Sequence, residues 1–347
     1  LAVFVDAQQR VWAGNAEGLW RIEADGSARL AWATDASATA VRAIAQAADH
    51  RLWLAVYGGG MAVFDPANDS AERMRRHAGV PGSLPEDSIR SLLIDRSGLL
   101  WMGGDIFGIS RTDPLGAKFR FLSDGVKRYD FASRSFEYFT DELRAALPLA
   151  ERDAALRVFA LAHADAGRIW VGGSQGLLEL NPALHRATLV PTDPGGNSGP
   201  ADTVVRALLG ARDGTLWVGT MDGGLSRRTP DGSRWTTWRS APADAGTLWH
   251  NSVLTLHEDR GGRIWIGTLD GLNLLDPASG TLRRMPRAGA DRSTPAGDLV
   301  RAIHESADGT LWFGSHSGLT RLEELTPTGA RFRRYLASDG LPGSTVY

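Results

Sequence analysis

The chain has 347 residues, of which 43% are hydrophobic, so it is long enough to bury a sizeable core. Its formal net charge of −2 suggests neither nucleic acid nor an anionic membrane surface as a partner. The absence of cysteine excludes a disulfide framework, a thiolate metal site and a cysteine nucleophile. No run of about 18 apolar residues occurs, so we predict no membrane contact by this segment.

A short unit built around a tryptophan recurs seven times along the chain. In most copies a glycine stands two residues after the tryptophan, the exception being Ala55, and a second glycine followed by an apolar residue comes six or seven residues after it. An aliphatic residue lies twelve residues before six of the tryptophans. This regularity indicates a repeat architecture. The tryptophans are Trp12, Trp53, Trp101, Trp170, Trp217, Trp265 and Trp312.

Each copy has the pattern of four short strands separated by turns rich in aspartate and glycine. In the fifth copy we predict strands at Val204–Leu209, Thr215–Gly219, Leu225–Arg228 and Arg234–Trp238. A lone four-stranded sheet cannot bury both of its faces, whereas sheets stacked around an axis can. We therefore predict an all-β fold, a β-propeller of four-stranded blades that forms one domain over residues 1–347. The repeated tryptophans are expected to be interior wedges between neighbouring blades.

The copies are not evenly spaced. The interval from Trp101 to Trp170 is 69 residues, against 41 to 48 for the other intervals. Residues 123–140 in this interval have the pattern of third and fourth strands without the first two, which indicates a degenerate half-blade or a deletion. We predict seven blades, or eight if this half-blade counts. Asp141–Leu156 is the one helix-like stretch, and we expect a solvated helical insert in an inter-blade loop.

The two ends of the chain match the interior of the repeat unit, so we expect this chain to be a segment of a longer repeat array. Up-and-down strand order places the inter-blade loops and the turns between second and third strands on one face. The turns that precede the tryptophans lie on the other face. Propeller ligands usually bind on the first face, near the mouth of the central channel.

Four copies carry an arginine directly after the anchor aliphatic residue, at Arg42, Arg90, Arg206 and Arg301. On the innermost strands these guanidinium groups are placed to ring the channel and to attract an anionic or polyhydroxylated ligand through charge-assisted hydrogen bonds. The alternative interpretation is that each arginine pairs with a nearby acid, or that it reflects the arginine-rich composition.

Further candidates for ligand binding lie in loops of the same face. Trp249 is not required by the repeat, so it either stacks against a sugar ring or acts as another structural wedge. Tyr57 and Phe107 are weaker candidates for the same stacking role. The remaining polar candidates are Asn251, Asp222, Asp270 and His316.

Catalytic patterns are poor in this sequence. The histidines show no pairing at i,i+4 spacing, and neither a phosphate-binding loop nor a nucleophile elbow is present. His257 and His304 occupy related strand positions, which favours a packing role over catalysis. We therefore predict no enzymatic activity, no cofactor and no metal site for this chain.

The repeat unit resembles the two-component regulator propeller repeat, most closely at residues 213–220 and 262–268. The resemblance implies a periplasmic sensor region whose parent protein adds a membrane helix and a histidine kinase or diguanylate cyclase. It also implies an oligosaccharide or other small-molecule ligand, and homodimerisation as the route of signal transmission. Two alternatives stay open. One is a streptogramin-lyase-like enzyme that would use a metal with His250 or His316, and the other is a protein-binding scaffold.

Overall fold

The computed structural model describes residues 2–23, 27–35, 40–77, 84, 87–94, 99–104, 109–110, 121–122, 126–130, 135–152, 156–287, 289, 293–327 and 329–339. Within these residues the strands form seven four-stranded sheets and one two-stranded sheet. Every strand pairing is antiparallel. We call the four-stranded sheets blades and number them along the chain.

Blades 1 to 3 come from the first part of the chain. Blade 1 contains β1 (Val3–Val5), β2 (Val11–Gly14), β3 (Gly18–Ile22) and β4 (Ala28–Ala33). Blade 2 contains β5 (Ala40–Gln46), β6 (Leu52–Tyr57), β7 (Gly60–Asp65) and β8 (Ser70–Met74). Blade 3 contains β9 (Ile89–Ile94), β10 (Leu100–Gly104), β13 (Val126–Asp130) and β14 (Ser135–Tyr138). The two-stranded sheet contains β11 (Ile109–Ser110) and β12 (Phe121–Leu122).

Blades 4 to 7 follow in regular order. Blade 4 contains β15 (Val158–His163), β16 (Ile169–Gly173), β17 (Gly176–Asn181) and β18 (Arg186–Val190). Blade 5 contains β19 (Val205–Gly210), β20 (Leu216–Thr220), β21 (Leu225–Arg228) and β22 (Trp235–Trp238). Blade 6 contains β23 (Val253–Glu258), β24 (Ile264–Thr268), β25 (Gly271–Leu275) and β26 (Leu282–Arg284). Blade 7 contains β27 (Val300–Glu305), β28 (Leu311–Ser315), β29 (Gly318–Leu325) and β30 (Ala330–Tyr335).

In the part of the chain that the structure describes, helical structure is limited to short segments outside the strands. The α-helix α1 (Thr140–Ala145) joins blades 3 and 4. Single turns of 3-10 helix occur at Leu149–Glu151, Asp165–Gly167, Pro182–Leu184 and Ala337–Asp339. None of the helices that the structure describes has the length and apolar character that a membrane span requires.

Each repeated tryptophan lies in a separate apolar cluster with residues of the next blade. Trp217 of blade 5, for example, packs with Val253 and Ile264 of blade 6. Trp312 of blade 7 packs with Val3 of blade 1, so the last blade is joined to the first. The prediction that these tryptophans are interior wedges is confirmed, since none of the seven is more than 7% exposed.

The first strands of the blades lie next to one another around an axis. Strand β5 contacts β9, which contacts β15, and the same relation continues through β19, β23 and β27. Strand β1 contacts both β5 and β27. A β-propeller of four-stranded antiparallel blades, as predicted from the repeat, is therefore confirmed.

The prediction of a separate half-blade within residues 123–140 is wrong. Strand β13 pairs with β10, placing Trp101 opposite Arg128, and β14 pairs with β13. The two strands are the outer half of blade 3, and the hairpin β11–β12 is inserted before them. Main-chain pairing across an insertion has no local signature, so the sequence indicates the strands but not the sheet to which they belong.

The prediction that Asp141–Leu156 is a solvated insert is also wrong, although the segment does lie between two blades. Leu143 and Leu147 are buried, as is Leu156. The three leucines share an apolar cluster with Trp101 and Val158, at the boundary of blades 3 and 4. Burial of these leucines against the two blades makes this segment part of the core between them.

Candidate functional site

The arginines predicted to bind ligand occupy a structural irregularity that recurs in the innermost strands. In six blades the pairing register of the first strand shifts directly after the buried anchor residue, so that the next residue is an extra, bulged one. A β-bulge turns its extra side chain away from the regular pleat, and bulges are common beside functional sites. We call the bulged residues the axial rim, and they are Arg42, Arg90, Phe159, Arg206, Leu254 and Arg301.

Three of the predicted residues form one cluster on the axial rim. The Cζ atoms of Arg42 and Arg90 lie 5.4 Å and 4.9 Å from the ring centroid of Tyr57, the last residue of β6. All three side chains are partly exposed. Two guanidinium groups therefore share one aromatic ring at the boundary of blades 2 and 3, an arrangement that cation–π attraction stabilises.

A second cluster of the same kind lies at the boundary of blades 4 and 5. The Cζ atom of Arg206 is 4.7 Å from the ring centroid of Phe159, and its Nε donates to Sδ of Met221 at 3.4 Å. Arg301, the fourth arginine, is exposed. The axial rim thus presents guanidinium groups that aromatic rings hold in place.

The sequence model of the two component regulator propeller family matches residues 83–105, 198–222 and 247–270. At these three segments the chain carries the two component regulator propeller repeat. Each matched segment covers the first and second strands of one blade, namely blade 3, 5 or 6. No curated protein matches the chain in sequence.

Solved structures that resemble this chain share little sequence with it. The extracellular domain assigned to a hybrid two component system from B. thetaiotaomicron is 17% identical, with a TM-score of 0.49 over 99% of this chain and 52% of that one. Virginiamycin B lyase from Staphylococcus aureus is 14% identical, with a TM-score of 0.57 over 90% of both chains.

PorZ, a surface component of the type-IX secretion system of Porphyromonas gingivalis, is 17% identical, with a TM-score of 0.53 over 99% of this chain and 46% of that one. The chain therefore spans about half the length of the two component system domain and of PorZ. At these identities the likeness to the lyase and to PorZ concerns the fold alone.

Trp249 lies in the connection between blades 5 and 6, and the arginines on its ring are not those of the axial rim. Its indole Nε1 donates to the carbonyl of Met285 at 3.1 Å, and the Cζ atoms of Arg284 and Arg287 lie 4.6 Å and 4.3 Å from its ring centroid. Arg287 also pairs with Asp270, so these two candidate residues are linked through one guanidinium group. These contacts are the ones expected if Trp249 acts as a structural wedge. Stacking of a ligand on Trp249 stays a prediction.

Asn251 takes part in a connection that recurs between blades. Its carbonyl accepts from the N–H of Gly224 at 3.1 Å, and its Oδ1 accepts from the N–H of Ser240 at 2.7 Å. Asp87 does the same between blades 2 and 3, accepting from the N–H of Gly60 through its carbonyl and from the N–H of Arg76 through its carboxylate. The repeat therefore accounts for this side chain, and a ligand contact by Asn251 stays a prediction.

The remaining candidates are not drawn together. Asp222 and His316 are exposed, and their backbone N–H groups donate to the Asp202 carboxylate and to the Leu299 carbonyl. Phe107 lies outside the described residues. Over the described part of the chain, no group of three or more His, Asp or Glu side chains is arranged to hold a metal ion.

Two histidines lie between blades at the opposite end of the innermost strands. His257 Nε2 is 3.5 Å from Oε2 of Glu305, and the His304 ring is 5.3 Å from the Phe4 ring of blade 1. Burial, together with the neighbouring His257, lowers the pKa of His304 to about 4. Burial also lowers the pKa of His257, although Glu305 acts in the opposite direction. Both rings are therefore neutral at neutral pH, as a packing role requires.

A groove on the opposite face was not anticipated from the sequence. It lies between blades 4 and 5, has a volume of about 540 Å³, and is open beside the turns that precede Trp170 and Trp217. The signal that could have revealed it is Arg228, which stands where the other copies have an apolar or aromatic residue. A sequence comparison that looks for what the copies share misses this difference.

Proposed function

We propose that this propeller is the extracytoplasmic ligand-recognition module of a two-component signalling protein. The observation that carries the proposal is the match to the two component regulator propeller family at three separate segments. The parent protein would be periplasmic in this part and would add a membrane anchor and a histidine kinase or cyclase. The chain itself would bind ligand without transforming it.

We also infer that the ring has seven blades. Each of the seven apolar clusters joins a tryptophan of one blade to the next blade, and the cluster of Trp312 returns to blade 1. The contact of β1 with β27 supports the same count. In this assignment β11 and β12 are an insertion in blade 3, so an eighth blade is not needed.

We propose the axial rim as the ligand site and a carbohydrate-like molecule as the ligand. A sugar ring offers hydroxyl groups to charged hydrogen-bonding partners and an apolar face to aromatic rings. The clusters of Arg42, Tyr57 and Arg90, and of Arg206 and Phe159, place both kinds of group side by side. Because arginine presents several donors in a rigid plane, it suits a ligand with adjacent oxygen atoms.

The proposed site is tested by measuring oligosaccharide binding to the purified chain. A panel of neutral and acidic oligosaccharides is screened by thermal shift, and the best binder is titrated against variants. Arg90→Ala and Arg206→Ala are each expected to weaken binding about tenfold, which corresponds to about 1.4 kcal/mol. The matched control is Arg73→Ala, since Arg73 also stacks on an aromatic ring, Trp32, but lies on an outer strand. If all three variants bind the oligosaccharide with equal affinity, the axial rim is not the ligand site.

Signalling adds a second requirement to binding. A ligand shifts an equilibrium between two arrangements only by the difference between its affinities for them. We propose that the parent protein is a homodimer and that the ligand favours one of two dimer arrangements. The output activity of the full-length protein should then change with ligand concentration, and Arg206→Ala should shift the half-maximal concentration upward by about tenfold, as it does the affinity.

A further inference from the structure

The groove on the face opposite the axial rim is a candidate for a second binding site, and it does not depend on the function proposed above. We call it the blade 4/5 groove. Its volume of about 540 Å³ is within the range of small-molecule sites. Trp170, Glu179, Gly210, Asp213, Arg228 and Asp231 are among its lining residues.

Three other blade boundaries are closed on this face by the same side-chain latch. In this latch, the side chain of the last residue of a first strand accepts a hydrogen bond from a backbone N–H in the preceding blade. That N–H belongs to the turn between the first and second strands. Gln46 accepts from Ala7 at 2.8 Å, Glu258 accepts from Arg212 at 2.8 Å, and Glu305 accepts from Arg260 at 2.9 Å. The latch bridges the two turns at the positions where the blade 4/5 groove is open.

The latch position of blade 5 is a glycine. Gly210 pairs with Leu216 in the register in which Gln46 pairs with Leu52 and Glu258 pairs with Ile264. Gly210 has no side chain to reach across to the turn of blade 4, so the boundary stays open there.

The other partner of Leu216 is a second departure from the repeat. Leu216 also pairs with Arg228. The corresponding third-strand residues of the other blades are apolar or aromatic, and those of blades 1, 2, 4 and 6 are buried. In pairing register they are Ile22, Phe64, Tyr129, Leu180 and Leu275, with Leu322 at the same position of blade 7.

Arg228 thus places a guanidinium group where blades 1, 2, 4 and 6 place buried apolar side chains. Its Cζ atom lies 5.3 Å from the ring centroid of Trp170, in the wall of the blade 4/5 groove. Within the described residues it forms neither a hydrogen bond nor an ion pair. A partly buried cation without an acid is unfavourable in the empty protein, so an anion that enters the groove gains a charge-assisted pair there.

The acids around Arg228 are engaged elsewhere. Glu179 pairs with Arg168 at 2.8 Å, and Asp213 accepts from Thr215. Hydrogen bonds from Thr229 and Ser233 hold the pKa of Asp231 at about 2, so this carboxylate is ionised at neutral pH. All three carboxylates line the groove, and a carboxylate has more lone pairs than these contacts use, so each can also accept from a hydroxyl group.

We propose that the blade 4/5 groove binds a small hydroxylated carboxylate of the sugar-acid class. The ligand carboxylate pairs with the guanidinium group of Arg228 above Trp170. The ligand hydroxyl groups donate to the carboxylates of Glu179, Asp213 and Asp231. A neutral sugar lacks the first interaction, and a simple carboxylate lacks the second.

The test uses three probes at matched ionic strength, namely glucuronate, glucose and acetate, titrated calorimetrically into the purified chain. Glucuronate is expected to bind at least about tenfold more tightly than glucose or acetate. Arg228→Leu introduces the residue type of Leu275, so it should fold with unchanged or higher thermal stability and lose this preference. Equal binding of glucuronate to the wild type and to Arg228→Leu would overturn the proposal.

Two control variants separate this site from other sources of binding. Arg227→Leu removes a neighbouring guanidinium that lies over Trp217 rather than over Trp170, so glucuronate binding should be unchanged. Arg206→Ala alters the axial rim and should also leave it unchanged. If Arg206→Ala abolishes glucuronate binding while Arg228→Leu retains it, the acid binds at the rim. That result would support the rim proposal and overturn this one.

Discussion

Gly219→Ala is expected to lower the free energy of unfolding by about 1–3 kcal/mol, because the new methyl group has no room between blades 5 and 6. A Cβ atom at Gly219 would lie 2.5 Å from Cγ1 of Val253 and 3.1 Å from Cβ of Ala207. Val253 and Gly219 both lie in strands held by main-chain pairing, so relief of the overlap requires one blade to shift. Chemical denaturation of the purified chain measures the difference.

The control for this substitution is Gly329→Ala. The nearest atom to a Cβ at Gly329 is Oγ1 of Thr326, at 3.8 Å, which is ordinary van der Waals contact. Its effect should stay within about 0.5 kcal/mol. A similar loss of stability in both variants would show that the boundary between blades 5 and 6 imposes no special limit on side-chain size.

The same contact explains why the glycine after the tryptophan recurs. An added Cβ would meet the anchor residue of the next blade at four further boundaries, within 2.5 to 2.8 Å of it. Ala55 is the exception in blade 2, and it is fully buried in a cluster with Ile89 of blade 3. The glycine thus sets the distance between blades. The four further glycines are Gly14, Gly103, Gly172 and Gly267.

The architecture could be predicted because its determinants are local and repeated. Alternating apolar residues and turns of fixed chemistry specify each strand, and the strands of blade 5 begin and end within one residue of their predicted bounds. The turn before Leu216 shows the cause. Gly214 has a φ of +83°, and the Asp213 carboxylate accepts from the N–H of Thr215 at 2.8 Å. Because this turn recurs before the second strand, each repeated tryptophan occupies the same position in the second strand of its blade.

The parts that could not be predicted depend on pairing between distant segments. The pairing of Trp101 with Arg128 shows that β13 belongs to blade 3. The residues between them carry no local pattern that predicts this pairing. The same holds for the bulges of the axial rim. The sequence places arginine after the anchor residue, but the extra residue in the register appears only when first and second strands are aligned. The contact of Arg42 and Arg90 with the same Tyr57 ring could not be predicted either, because the two arginines belong to different blades.

The two faces of the propeller differ in how their candidate sites relate to the repeat. The axial rim is a feature that the copies share, so recognition there would exploit the ring as a whole. The blade 4/5 groove lies where blade 5 departs from the other copies, with Arg228 in place of an apolar or aromatic residue. Local departures from an otherwise consistent pattern are expected at functional sites, since each one sacrifices packing or pairing.

Acidification from about pH 7 to about pH 5 is expected to lower the free energy of unfolding by about 2 kcal/mol through His304 alone. The folded-state pKa of this ring is about 4, below its ordinary value of 6.5. Between these two values the unfolded chain binds a proton that the folded chain excludes. The stability due to the neutral ring is therefore complete above its ordinary pKa and is lost as the pH falls toward the folded-state value. The lowered pKa of His257 adds in the same direction.

His304→Leu isolates this contribution. Leu209 occupies the same register in blade 5, opposite Trp217, as His304 does opposite Trp312, so a leucine fits the repeat. Urea denaturation at several pH values should give a shallower loss of stability with acidity for His304→Leu than for the wild type. The exposed His77 serves as the control, since His77→Gln should keep the wild-type slope. Identical slopes for His304→Leu and the wild type would mean that the ring takes up its proton in the folded state, and that the boundary of blades 7 and 1 admits the charge.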